Sequence, residues 1–163
     1  VNEAETERAS WMGLAILLAA LALQTGASFA TSGKLPPPAP FKVLKAEFGI
    51  VTQDGFRPSR KVPLKEGQGF GWVIQLETPR DKIRWREEIR LPAPPQTWDA
   101  GPGNGKHTLS ADRRTSILER ETPLYDGFIY NMWQISPGDP RGRYTMRVMV
   151  EDLLVSTFEF DVE

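Results

Sequence analysis

From residue 41 onward, apolar and polar positions alternate with a period of two, the pattern of half-buried strands. Leu44, Ala46, Phe48 and Ile50 alternate with Val43, Lys45, Glu47 and Gly49. Turn residues follow at Asp54-Gly55 and Arg57-Pro58-Ser59, and Phe70, Trp72, Ile74 and Leu76 then form a second alternation. The most regular strand sets Ile83, Trp85, Ile89 and Leu91 on one face, with only Glu87 breaking it. Arg84, Arg86, Glu88 and Arg90 stand on the other. Pro92, Pro94 and Pro95 end this strand, because proline has no N–H to donate to a ladder. A long Pro/Gly loop is predicted from Pro92 to His107, with shorter strands around Thr115–Glu119 and Phe128–Ile135. A closing hairpin carries Tyr144, Met146, Val148 and Val150, then Phe158, Phe160 and Val162, joined near Glu151-Asp152-Leu153. The pattern amounts to roughly seven strands, with no helical period after Ala30 and no internal repeat. It predicts a mainly β domain, an antiparallel sandwich.

The N-terminal quarter reads differently. Trp11 to Ala30 is an apolar stretch of 20 residues, which as a helix rises roughly 30 Å, enough to cross a bilayer's hydrocarbon. Its unbroken core, Trp11 to Leu23, is short for a span, and Ser28 and Ala30 are spaced as in a signal peptidase site. The leader argues against cleavage: Glu3, Glu5 and Glu7 outweigh Arg8, where a secretory n-region is positive. The chain also starts at Val1, a residue small enough to follow a trimmed initiator Met, as expected of an uncleaved terminus. Thr31 to Pro40, TSGKLPPPAP, is a semi-rigid spacer of polyproline II type. The organisation expected is an acidic leader over 1–10, a transmembrane helix or signal-anchor over 11–30, a Pro-rich stalk over 31–41 and a β-sandwich over 42–163. Trp11 suits a membrane interface, and Gly13, Ala15, Ala19, Ala20 and Ala22 permit close approach of neighbouring helices.

Charge and composition narrow the function classes. The 163 residues carry a formal net charge of −1. Residues 1–40 hold Glu3, Glu5, Glu7, Arg8 and Lys34, so the remainder balances at 18 basic and 18 acidic residues. A neutral domain argues against nucleic acid as partner, since phosphate neutralisation needs a basic excess. The absence of cysteine removes disulfides, thiol nucleophiles, Cys-based zinc sites and a lipoprotein anchor.

The strings EFGI at Glu47–Ile50, GFGWVIQL at Gly69–Leu76 and ISPGDPRGRYTMRVMVEDLLVSTFEFDV at Ile135–Val162 resemble a bacterial domain family of uncharacterised function with an immunoglobulin-like strand pattern. The resemblance covers most of residues 43–163 and implies an immunoglobulin-like antiparallel β-sandwich without known catalysis. Asp139…Gly142-Arg143-Tyr144 is similar to the tyrosine corner of such folds, with one residue more between Asp and Gly than the pattern has.

Candidate chemistry is sparse. GPGNGKH at Gly101–His107 lacks the P-loop's first glycine and its Ser/Thr, and no helix pattern follows. His107 is the only histidine, so no second His or Cys shares a metal with it, and its Gly/Lys surroundings predict a solvated ring. No G-x-S-x-G elbow occurs, and Glu87-Glu88 point to opposite faces of one strand. The stripe Arg80, Lys82, Arg84, Arg86 and Arg90 reads first as a solvated face of cross-strand ion pairs, and otherwise as a contact for headgroups or an acidic subunit. Trp72 and Trp85 fit the core. Trp98, Tyr125, Phe128, Tyr130 and Trp133, beside loops, are candidate interface residues with Arg84, Arg86 and Arg90.

The sequence therefore predicts no catalytic residues, no cofactor, no metal and no small-molecule substrate. The expectation is an accessory subunit of a bacterial inner-membrane complex, photosynthetic or respiratory, anchored in the lipid bilayer by one helix. Counting Arg8 against Lys34, Lys42 and Lys45 favours a cytoplasmic domain, whereas a signal-anchor ahead of a sandwich favours export, the orientation expected for this chain. The alternative is a periplasmic binding module released near Ala30.

Overall fold

The computed structural model of the chain describes residues 40–98 and 105–163. The expected membrane helix, the leader and nearly all of the stalk lie outside those residues, as does Gly101–Asn104 of the GPGNGKH string. The described residues form two β-sheets and contain no helix.

The strands in chain order are β1 (Lys42–Thr52), β2 (Gly55–Pro58), β3 (Lys61–Val62), β4 (Gly69–Glu77), β5 (Lys82–Arg90), β6 (Lys106–Leu109), β7 (Thr115–Pro123), β8 (Phe128–Gln134), β9 (Gly142–Val150) and β10 (Leu153–Val162). One sheet runs β2-β1-β4-β8 and the other β3-β10-β9-β5-β7-β6. All pairings are antiparallel except β3 with β10. The core lies between the sheets. Phe70, Trp72, Ile74 and Leu76 of β4 face Ile83, Trp85 and Ile89 of β5 and Tyr144, Met146, Val148 and Val150 of β9, all of them buried. Period-two patterning thus places these strands as expected, since one face of each must leave water. Aromatic rings fill one side of the core, with Phe48 stacked on Phe160 at 4.1 Å, and Trp72 meets Trp85 edge-on at 5.2 Å.

Four departures from the sequence reading have local causes, the first being that Gly55–Pro58, read as turn residues, pairs with β1 as strand β2. Leu44 is 48 % exposed, because the β1–β4 register shifts between Val43 and Lys45 and leaves it without a partner. A bulge of this kind turns a side chain out of the alternation. Strand β7 continues to Pro123, past the expected end at Glu119, since Arg120 to Pro123 keep pairing with β5. His107 lies on β6 rather than in a loop, paired with Leu118 at the sheet's edge. The closing hairpin turns at Glu151 and Asp152, both at positive φ (48° and 65°), as a two-residue type I′ turn requires.

Tyr144, at the start of β9, donates its hydroxyl to the Pro140 carbonyl at 2.8 Å. The tyrosine-corner bond forms despite the extra residue before Gly142, because the acceptor is backbone and the loop adjusts around it. Burial pushes the phenol's pKa well up, keeping it a neutral donor. Tyr144→Phe is expected to cost about 1 kcal/mol in urea unfolding, the usual worth of one such bond. An unchanged midpoint would show that the corner contributes nothing.

Candidate functional site

Glu87 stands at the centre of the core. Alternation on β5 sends its side chain inward with Trp85 and Ile89, and its neighbours across the sheet are Leu118 of β7 and Val148 of β9. The residue is 0 % exposed. A carboxyl buried among apolar groups costs several kcal/mol unless donors reach it, and in this core they come from the opposite sheet. The Trp133 indole N–H donates to Oε1 at 2.6 Å, the Asn131 amide donates to Oε2 at 3.0 Å, and the Trp72 indole N–H also donates to Oε2. Trp72 sits on β4, and Asn131 and Trp133 sit on β8, where the alternation that buries Ile129 also turns them inward. One acceptor on the six-stranded sheet is thereby held by donors on both β4 and β8 of the other.

Burial pushes the Glu87 carboxyl above its ordinary range. The N–H groups of Asn131, Trp72 and Trp133, and then the charge of Arg120, pull it back part of the way. An indole N–H only donates, so the cage calls for oxygens that accept at both positions. Sealed from solvent and with both oxygens engaged, the carboxyl has no open face for proton exchange with an external substrate.

His107 Nε2 lies 2.8 Å from the hydroxyl of buried Ser116. Among the described residues no carboxylate or amide orients the ring's other nitrogen, so the pair lacks the third member of an activated nucleophile. Among the same residues no three His, Cys, Asp or Glu side chains gather as metal ligands, and no helix is long and apolar enough to cross a membrane.

The predicted interface residues fall in three places. Part of the arginine stripe faces carboxylates: Arg84 meets Asp152 at 2.5 Å and Arg86 lies 3.9 Å from both Glu88 and Glu119, while Arg90 bonds the Thr115 hydroxyl at 3.3 Å. Trp98 and Trp133 form an edge-on pair at 6.2 Å. Trp98 donates to the Arg113 carbonyl and Trp133 to Glu87, so both indoles are committed internally. Tyr125 and Tyr130 remain outward, 60 % and 53 % exposed, with ring centroids 6.3 Å apart, and Phe128 is half-buried beside them.

The linear pattern does not foresee the apolar end of the sandwich. Register and hydrogen bonds bring four segments to one pole: the start of β1, the β4–β5 turn, the β7–β8 turn and the β9–β10 turn. Thr78 holds the Pro40 carbonyl, Leu124 N–H bonds the Asp81 carbonyl, and Glu151 N–H bonds the Arg84 carbonyl. Exposed Val43, Leu44, Tyr125, Leu153 and Leu154 all lie at this end. Some of the charges around them pair within the domain, as in Lys42–Glu77 and Arg80–Glu151, while Asp81, Lys82 and Asp126 are exposed beside them. Val43 on the outward face and Tyr125 beside a loop were the detectable signals, whereas Leu44, expelled by its bulge, reads as core in the linear pattern.

Glu87→Gln keeps one accepting oxygen and places an amide N–H₂ against an indole N–H. We expect a loss of about 2 kcal/mol in denaturant unfolding, within the range for one buried group left unsatisfied. Because burial raises the folded-state pKa, the folded protein holds the Glu87 proton to higher pH than the unfolded chain. The wild type's margin over Glu87→Gln is therefore greatest below the ordinary value of 4.5, and it shrinks as pH rises through the folded value. A margin that grows with pH over that window would contradict this.

The fold compares directly with known proteins. An immunoglobulin-like protein from Pseudomonas aeruginosa superposes with a TM-score of 0.53 at 18 % identity, over 78 % of this chain and 100 % of that one. At that identity the likeness concerns fold alone. No curated protein matches the chain. A family model, the PM0630 beta sandwich domain, matches residues 39–163. The chain belongs to the PM0630 beta sandwich domain family, with the immunoglobulin-like fold that the resemblance implied.

Proposed function

We propose that this protein is a non-catalytic accessory subunit of a bacterial membrane complex, anchored by Trp11–Ala30 and docked through the apolar pole of its sandwich. The observation that carries this reading is the gathering of Val43, Leu44, Tyr125, Leu153 and Leu154 at the pole where the chain enters the domain. Large apolar side chains at one pole, with Lys42–Glu77 and Arg80–Glu151 paired among them, fit a protein partner. They do not fit an anionic surface or a nucleic acid, which need a basic excess. The non-catalytic part of the reading is supported by the engagement of Glu87 and by the incomplete His107–Ser116 pair. The sandwich is assigned to the periplasmic side, following the orientation that a signal-anchor favours.

Leu44→Glu combined with Leu154→Glu tests the reading in the full chain, purified in detergent from its native membrane. Both positions are exposed in the domain, so its own stability should move by no more than about 0.5 kcal/mol. The variant is expected to bind its membrane partner at least about tenfold more weakly, the loss typical of a disrupted central contact. Lys65→Glu, at the opposite pole, should leave binding unchanged. Equal co-purification by wild type and the Leu44/Leu154 variant would contradict the proposal.

A further inference from the structure

We infer that a second copy of this chain adds to the sandwich along β8, pairing β8 with β8 antiparallel about a two-fold axis at Met132. Each sheet has two edges, and three of the four are short and guarded. Strand β2 has 4 residues and carries Arg57 and Pro58, β3 has 2 and carries Lys61, and β6 has 4 and carries Lys106. These are the usual devices that stop an edge from templating another strand. Strand β8 has none of them. It runs 7 residues, FIYNMWQ, without charge or proline, and its register with β4 is unbroken from Gln75↔Phe128 to Gly69↔Gln134.

The backbone shows which groups are on offer. Phe128 spends both its N–H and its C=O on Tyr125, at 2.8 and 3.0 Å, while Ile135 N–H points back to the Gln68 carbonyl beside β4. Successive residues of an antiparallel strand direct these groups to alternate sides. The N–H and C=O of Tyr130, Met132 and Gln134 therefore face the outer edge, where no described strand pairs with them. Tyr125 closes the edge at Phe128, so the open length is Tyr130 to Gln134 and its midpoint is Met132. A cleft of about 360 Å³ opens beside it, lined by Tyr130, Asn131 and Met132, by Tyr125 and by Arg120 and Thr122 of β7.

The chemistry favours a second copy over a foreign strand. At a two-fold axis each residue meets itself or a near neighbour, so any charge would face its own kind. Met132 would lie opposite Met132, and Tyr130 opposite Gln134. A strand addressed to a charged partner would carry complementary charge, and this one carries none. The pairing surface adjoins the apolar pole at Tyr125, which packs on Tyr130, and it does not rest on the membrane reading.

The full chain in detergent, with bound detergent subtracted, is expected to sediment at twice its 18.3 kDa mass. Met132→Lys sets ammonium against ammonium at the axis and should halve that mass. The chain has no cysteine, so Met132→Cys offers a single thiol per copy. Mild oxidation should link that variant into a dimer, since directly opposed residues stand about 5.5 Å apart at Cα, within disulfide reach. Lys65→Cys, at the far pole, should stay unlinked. If Met132→Lys fails to fold by circular dichroism, the cysteine variant decides alone. A monomeric wild type would overturn the inference. So would a dimer that resists Met132→Lys and leaves Met132→Cys unlinked, or a cross-link from Met132→Cys to a different polypeptide.

Discussion

The architecture turns on one buried carboxylate. Immunoglobulin-like sandwiches often tie their sheets with a disulfide beside a core tryptophan, and this chain has no cysteine to do so. Tyr144 keeps its corner bond, and Met146, two residues on, stands where the antibody pattern places the second cysteine. In place of a covalent tie, Glu87 reaches from β5 to two indoles and an amide on β4 and β8. Hydrophobic burial brings the sheets together without direction. The three donors give that contact an orientation, because sliding either sheet would strand a charge or a donor in a medium that cannot solvate it.

The same constraint shapes what the domain can offer outward. Its fully buried acid is spent on structure, and Arg80, Arg84 and Arg86 of its basic stripe face neighbouring carboxylates. Exposed Val43, Leu44, Tyr125, Leu153 and Leu154 lie at the pole where the chain enters the sandwich, Val51 and Leu64 lie away from it, and β8 is an edge strand. We propose the pole and the β8 edge as means of association, one by apolar contact and one by extension of a sheet. A rigid sandwich with a polar clamp inside suits that work, since preorganised surfaces lose little entropy on binding.

Much of this was legible in the linear pattern. The strands at 70–76, 83–91 and 144–150 follow from strict alternation, and Glu87 stands out as the lone break in an apolar face. Its partners do not stand out, because Trp72 and Trp133 lie 15 and 46 residues away and meet it only once the sheets close. For the same reason Trp133 reads as an interface candidate. Nothing in a linear pattern tells an aromatic ring exposed at a strand's end from one whose N–H reaches inward. Leu44 fits the alternation perfectly and is still exposed, because a bulge is set by pairing with β4 and not by its own neighbours. His107 was hidden by the glycines before it: a short edge strand, held by one partner alone, carries almost no periodic signal.

A double-mutant cycle across the two sheets, with Glu87→Leu, Trp133→Phe and their combination in denaturant unfolding, tests the clamp most directly. If Glu87 holds the sheets in register through these donors, the two changes should be strongly non-additive. The expected coupling is on the order of 1–3 kcal/mol, the cost of leaving one buried hydrogen-bonding group unsatisfied. Additivity within about 0.5 kcal/mol would mean that the indole and the carboxylate act independently, and that the clamp does not set the register of the sheets.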